Sequence, residues 1–259
     1  MRPADRQREI AAQVMAEGSA SASELAERFQ VSLMTVHRDL DELERVGIVR
    51  KFRGGVTAQP SSVFESNVTF RRSVAVAEKA AIARHAAQLV EPGMAVMFDD
   101  STSALAVAEQ LDRVAPLTVV TNFLEIVRVF AGRPDVRLIC LGGEYNSTHD
   151  SFLGLPCVDA VSRLRADLLF ASVSTVCGGD VFHQEQDIVL VKQAMLKASG
   201  RRVLLVDHGK LGRTALHRLA PITDFDLVVT DDGGDPAAVQ ALREHQVAVD
   251  VAETAPENR

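Results

Sequence analysis

Along the first 57 residues the apolar positions recur three and four apart, the spacing of one helix face. Ile10 and Val14, with neighbouring alanines, set the pattern, and Gly18 ends it. "SASELAERF" (21–29) opens on serines suited to capping, carries Glu24 and Glu27 in its early turns and sets Leu25 and Phe29 four apart, predicting a second helix. A short "QVS" turn leads to Ser32 as the next N-cap, after which Leu33, Val36, Leu40 and Leu43 form the core face of a third helix that Gly47 stops. "IVRKF", "GG" and "VTA" then read as two short strands around a tight turn, with Gly54 and Gly55 supplying positive φ. Residues 58–77 begin with proline and serines and show no clear period, so a linker is expected there. From residue 78 the pattern changes. "MAVMF", "LTVV", "VRLICL", "ADLLFASV", "RRVLLVD", "FDLVVT" and "VAVDV" are short apolar runs rich in β-branched residues, separated by helical stretches at 103–113, 123–132, 185–199 and 236–244. That alternation predicts an α/β domain over 78–252 with a mainly parallel sheet, followed by a tail at 253–259.

The outward side of the third helix carries candidate chemistry. With its apolar face turned inward, Met34, Thr35, His37 and Arg38 point outward on the first two turns. A recognition helix presents such N-terminal side chains to base edges in the major groove. Asp41, Glu42 and Glu44 come later, where the helix would rise out of the groove. Arg50, Lys51 and Arg53 lie on the hairpin, within reach of phosphates or a minor groove.

Total charge runs against this reading, because the chain carries 28 Lys/Arg against 35 Asp/Glu, a net −7. Residues 1–60 hold nine of each sign, however, so the whole excess of carboxylates lies in the remainder. Arg45 to Arg53 contains four cations and no carboxylate. Local placement therefore decides, not bulk charge. The absence of Trp and the single Tyr145 argue against recognition by aromatic stacking. Cys140, Cys157 and Cys177 show no metal-ligand spacing, an odd count and a pattern suited to a reducing cytosol, so neither a metal nor another cofactor is expected. "MRPADRQREI" has no apolar signal core, and no apolar run approaches about 18 residues, so a cytoplasmic protein with no membrane partner is expected.

"SLMTVHRDLDELERVGIVRKFRGGV" (32–56) resembles the winged helix-turn-helix of the DeoR family of bacterial transcription regulators. Ser32, Thr35, Arg38, Asp39, Leu40, Leu43, Gly47, Gly54 and Gly55 fall on that family's signature. His37 stands where an arginine is usual, and Arg53 stands where the wing histidine is usual, which keeps a phosphate-binding donor. The resemblance continues more loosely with the family's sensor domain, whose fold is akin to sugar-phosphate isomerases and aminosugar-phosphate deaminases. Its landmarks occur in order as "DDSTS" (99–103), "TN" (121–122), "LGG" (141–143) and "DHGKLGR" (207–213). Ser101, Ser172, Thr175, Leu190 and Gly209 depart from the family's usual residues.

Each landmark follows an apolar run, and ligands of α/β sheets collect beyond the carboxyl ends of strands. The four loops are thus expected to converge on a site for a small phosphorylated sugar or polyol. Ser101, Thr102 and Ser103 would offer hydroxyls and backbone N–H groups at a helix N-terminus, with Asp99, Asn122, Gly142, Gly143, Asp207 and Lys210 around them. The expected protein is a repressor of carbohydrate-metabolism genes that binds a double-stranded DNA operator, responds to that effector and assembles as a homodimer or homotetramer. The alternative is an isomerase- or deaminase-like enzyme with an appended DNA-binding domain, using Asp99, Asp100, Asp207, His208 and Lys210 for proton transfer.

Overall fold

The computed structural model describes residues 1–45, 47–58 and 67–254, and it divides into two compact units, Met1–Val74 and Ala75–Arg259. In the first unit, α1 (Pro3–Glu17) ends at Gly18, whose left-handed backbone (φ 81°) returns its N–H to the Val14 carbonyl. Strand β1 (Ser19–Ser21) leads into α2 (Ala22–Phe29), which Ser21 and Glu24 close as a reciprocal capping box. Helix α3 (Leu33–Arg45) is followed by β2 (Val49–Phe52) and β3 (Gly55–Ala58), an antiparallel hairpin turning on Arg53 and Gly54. β1 pairs with β3 on the side away from β2, giving a three-stranded sheet. Ile10, Val14, Leu25, Val36, Leu40, Leu43, Ile48, Val49 and Val56 form the core of this unit, and Phe70 of α4 (Val68–Ser73) packs against it. The expected linker at 58–77 falls partly on residues 59–66, outside the described residues; 68–73 of it are helical, and the division between units comes after Val74. Of the expected tail, residues 255–259 also lie outside the described residues.

The second unit opens with α5 (Val76–Ala87), β4 (Ala95–Phe98), α6 (Thr102–Ala108), β5 (Leu117–Thr121), α7 (Leu124–Phe130) and β6 (Val136–Cys140). A small hairpin, β7 (Glu144–Asn146) and β8 (Ser151–Leu153), precedes α8 (Leu155–Ser162) and β9 (Ala166–Ser172). Then come β10 (Thr175–Cys177), β11 (Asp180–His183), α9 (Gln186–Lys197), β12 (Ser199–Leu205), β13 (His217–Pro221), β14 (Leu227–Asp231), α10 (Pro236–Glu244) and β15 (Ala248–Ala252). Among the described residues, seven strands make one sheet in the order β15-β14-β12-β9-β4-β5-β6, and every neighbouring pair is parallel. β10, β11 and β13 form a separate antiparallel sheet. The central strands are buried on both faces, which is why they read as unbroken apolar runs. No helix among the described residues is long and apolar enough to cross a membrane.

The sheet order fixes where a site can form. From β4 the chain goes outward through β5 to β6, then returns to the other side of β4 for β9, β12, β14 and β15. The loops after β4 and β9 therefore diverge, leaving a crevice at the carboxyl ends of these two central strands.

Candidate functional site

In the first unit, Ser32 Oγ accepts the Thr35 N–H at 3.2 Å and lies 2.9 Å from Thr35 Oγ1, so this serine caps α3. Met34, His37 and Arg38 are exposed on the first turns and Thr35 is half-buried. Leu33 corrects the sequence reading: it is 52% exposed, whereas Val36, Leu40 and Leu43 are at most 2% exposed. The buried face instead includes Asp39, 3% exposed, which accepts Arg6 Nε at 2.6 Å and Gln7 Nε2 at 3.0 Å. The helical period identified the face but not its beginning, because the first turn of α3 projects past the core.

Arg50 and Arg53 are exposed on the hairpin. Lys51 is held differently from them: its ammonium pairs with Asp41, and its backbone N–H donates to Glu44 Oε1 at 2.8 Å. Glu42 in turn pairs with Arg45. The carboxylates on the outer side of α3 thus have partners within the unit, while Arg38, Arg50 and Arg53 have no carboxylate partner among the described residues. Gly54 takes the expected left-handed backbone (φ 96°) with open space around it. Gly55 does not share that conformation. It is required by proximity, since a Cβ there would stand 2.5 Å from the Ala20 carbonyl oxygen on the neighbouring strand.

In the second unit the polar loops meet at the crevice. Asp99, fully buried after β4, accepts the Ser101 N–H at 3.0 Å and the Ser172 N–H at 2.8 Å, and the Lys192 ammonium from α9. Lys192 also lies 3.1 Å from Asp100 Oδ1, and Asp100 Oδ2 accepts Ser151 Oγ at 3.0 Å. Burial alone would discharge Lys192, but two adjacent carboxylates outweigh it and hold its pKa above the ordinary lysine value. The Lys210 ammonium donates to Ser172 Oγ at 3.0 Å and lies 3.6 Å from Asp207 Oδ2. Ser172 therefore joins Asp207 and Lys210, beyond β12, to the Asp99–Lys192 pair.

Ser101 is the N-cap of α6, its Oγ accepting the Ala104 N–H at 3.0 Å, and Thr102 and Ser103 follow it, both buried. Asn122, beyond β5, donates through Nδ2 to the Phe152 carbonyl at 3.0 Å. Its Oδ1 and the Ser103 Oγ are buried without hydrogen-bond partners, an uncommon state for polar atoms inside a protein. Gly142 is open to solvent. Gly143 passes so close to β8 that a Cβ would stand 2.2 Å from the Leu153 carbonyl oxygen, so chain packing alone requires glycine there.

Ser151 and Lys192 were not among the sequence-selected site residues, Asp100 was selected only for the alternative enzyme, and Ser172 was named only as a departure from the family's usual residues. Lys192 had left a signal, as the cation inside the apolar run "DIVLVKQAM"; Ser151 had left none. His208 adds a further built contact: Nδ1 lies 2.6 Å from Asp231 Oδ2, and its N–H donates to Asp231 Oδ1 at 2.8 Å. Burial opposes protonation of the ring, but the hydrogen bond and charge of Asp231 prevail and raise its pKa.

Residues 6–62 match the DeoR-like helix-turn-helix domain, and residues 74–232 match the DeoR C terminal sensor domain. The chain is 34% identical to the HTH-type transcriptional regulator YgbI of Escherichia coli, over 97% of this chain and 99% of that one. It is 31% identical to the glycerol-3-phosphate regulon repressor of Escherichia coli, over 97% of this chain and all of the relative. It is also 31% identical to the lactose phosphotransferase system repressor of Staphylococcus aureus, over 93% of this chain and 97% of the relative. With both domains matched in order and relatives aligned end to end, the chain belongs to the DeoR family and is a DNA-binding transcriptional regulator.

Proposed function

We propose that this regulator represses carbohydrate-metabolism genes and that a small phosphorylated sugar or polyol, bound at the crevice of the second unit, alters its affinity for the operator. The observation that carries the reading is the pair of unpartnered buried polar atoms, Ser103 Oγ in the first turn of α6 and Asn122 Oδ1 beyond β5, on segments that adjoin a buried Asp99–Lys192–Asp100 cluster. A ligand hydroxyl would satisfy Asn122 Oδ1, and a phosphate oxygen would accept the Ser103 hydroxyl. The phosphate is assigned to Ser101, Thr102 and Ser103 with Lys210 as its cation, and the hydroxyls to Asp99, Asn122 and Asp207. The names of the glycerol-3-phosphate and lactose phosphotransferase repressors support the ligand class. Operator contacts are assigned to Thr35, His37 and Arg38 for bases and to Arg50 and Arg53 for phosphates. The active species is a homodimer or homotetramer assembled through the second unit, working in the cytoplasm.

A sensor is favoured over a catalyst because Asp99 and Asp100 are already engaged by Lys192, and Asp99 also by two backbone N–H groups. Those contacts occupy the carboxylate oxygens that a catalytic base would have to present to a substrate. The test is calorimetry of the full chain against a panel of phosphosugars, phosphopolyols and their unphosphorylated parents, alongside operator release. Binding should require the phosphate, and Thr102→Glu, which places a carboxylate where the phosphate belongs, should abolish the response with operator binding of the free protein nearly intact. Equal affinity with and without phosphate, or an undiminished response in Thr102→Glu, would refute the ligand placement. Turnover of a sugar phosphate that scales with protein and vanishes in Asp207→Asn would overturn the sensor reading.

A further inference from the structure

The first turn of α3 presents two large apolar side chains to solvent, Leu33 at 52% and Met34 at 66% exposure. All the other apolar side chains of this helix, Val36, Leu40 and Leu43, are buried in the core of the unit. Leu33 and Met34 are adjacent, they occupy the end of the helix that carries no carboxylate, and His37 and Arg38 are exposed on the following turn. The first carboxylate along the helix, Asp39, is buried against Arg6, and the next, Asp41, pairs with Lys51. The leading end of α3 is therefore apolar and cationic together, a combination that suits a polyanion bearing apolar groups. The major groove of DNA offers one such group, the C5-methyl of thymine.

We infer that Leu33 and Met34 read thymine methyl groups in the operator and so determine part of its sequence, beside the hydrogen-bonding contacts of Thr35, His37 and Arg38. Leu33 thus moves from the core, where its spacing had put it, to the specificity surface. Covering a thymine methyl with leucine or methionine removes apolar area of both partners from water. One such group is worth about fourfold in affinity. Uracil presents the same hydrogen-bonding edge without the methyl, so the contact can be tested on the DNA alone, with the protein unaltered.

The experiment begins with selection of a preferred duplex from a random pool by the full chain. That duplex is then made with deoxyuridine replacing thymine one position at a time. The unaltered protein is expected to lose about fourfold in affinity at one or two positions. In Leu33→Ala combined with Met34→Ala, the thymine and uracil duplexes should bind equally at those positions. Equal affinity of the unaltered protein for thymine and uracil at every position would overturn the inference. Persistence of the difference in the double variant, or selection of a duplex without thymine, would overturn it as well.

Discussion

Asp39 is 3% exposed and ties α3 to α1 through Arg6 and Gln7. Truncating one member of a buried ion pair leaves the other charged and without compensation, at a cost of about 3–5 kcal/mol. Asp39→Ala should therefore lower hydrogen-exchange protection of α1 and α3 by that order in the full chain, with the second unit unaffected. Asp39→Asn, which keeps an acceptor for Arg6, should cost less. Unchanged protection in Asp39→Ala would show that the pair contributes no net stability. At this scale the sequence was legible where chemistry is local. Ser32 before the apolar period, and Ser21 with Glu24 three residues on, are capping patterns that the structure bears out. Asp39 was not legible as a buried residue, because its partner lies 33 positions away and a carboxylate inside a helix ordinarily faces water.

Short elements escaped the pattern that revealed the long ones. The seven strands of the main sheet are apolar runs, and each was visible as such. β1, β7, β8 and β10 are three residues long, too few to establish a period of two, and they form because partners elsewhere in the chain complete their hydrogen bonds. The β7–β8 hairpin matters because it brings Ser151 to Asp100 and Phe152 to Asn122. Its approach to the chain after β6 depends on Gly143. A Cβ there would meet the Leu153 carbonyl, whereas one at Gly142 would meet nothing within 4 Å. Gly143→Ala should consequently destabilise the protein by about 1–3 kcal/mol. Gly142→Ala should stay within about 0.5 kcal/mol of the parent. Thermal unfolding of the two variants side by side checks the contrast, and equal midpoints would contradict the packing role given to Gly143.

For the whole molecule, the net charge of −7 resides beyond residue 60, and the DNA-binding portion balances its own carboxylates internally. In the proposed reading, attraction to DNA arises from a few side chains, Arg38, Arg50 and Arg53, set on one small unit. Control by an effector further requires that it bind the DNA-competent and DNA-incompetent states unequally. The two-domain plan was legible because helical period gives way to short apolar runs. Convergence of the Asp99, Asn122, Ser172 and Asp207 loops was only inferable, since strand order, not sequence order, brings them together. The most direct measurement of the central claim is operator affinity of the full chain as a function of salt, compared with Arg53→Ala and with a triple alanine variant at Thr35, His37 and Arg38. Arg53→Ala should weaken binding to all duplexes and flatten the salt dependence by up to about one unit of slope. The triple variant should lose preference for the operator over unrelated DNA. Operator affinity untouched at moderate salt in both variants would contradict the assignment of α3 and its hairpin as the DNA-binding surface.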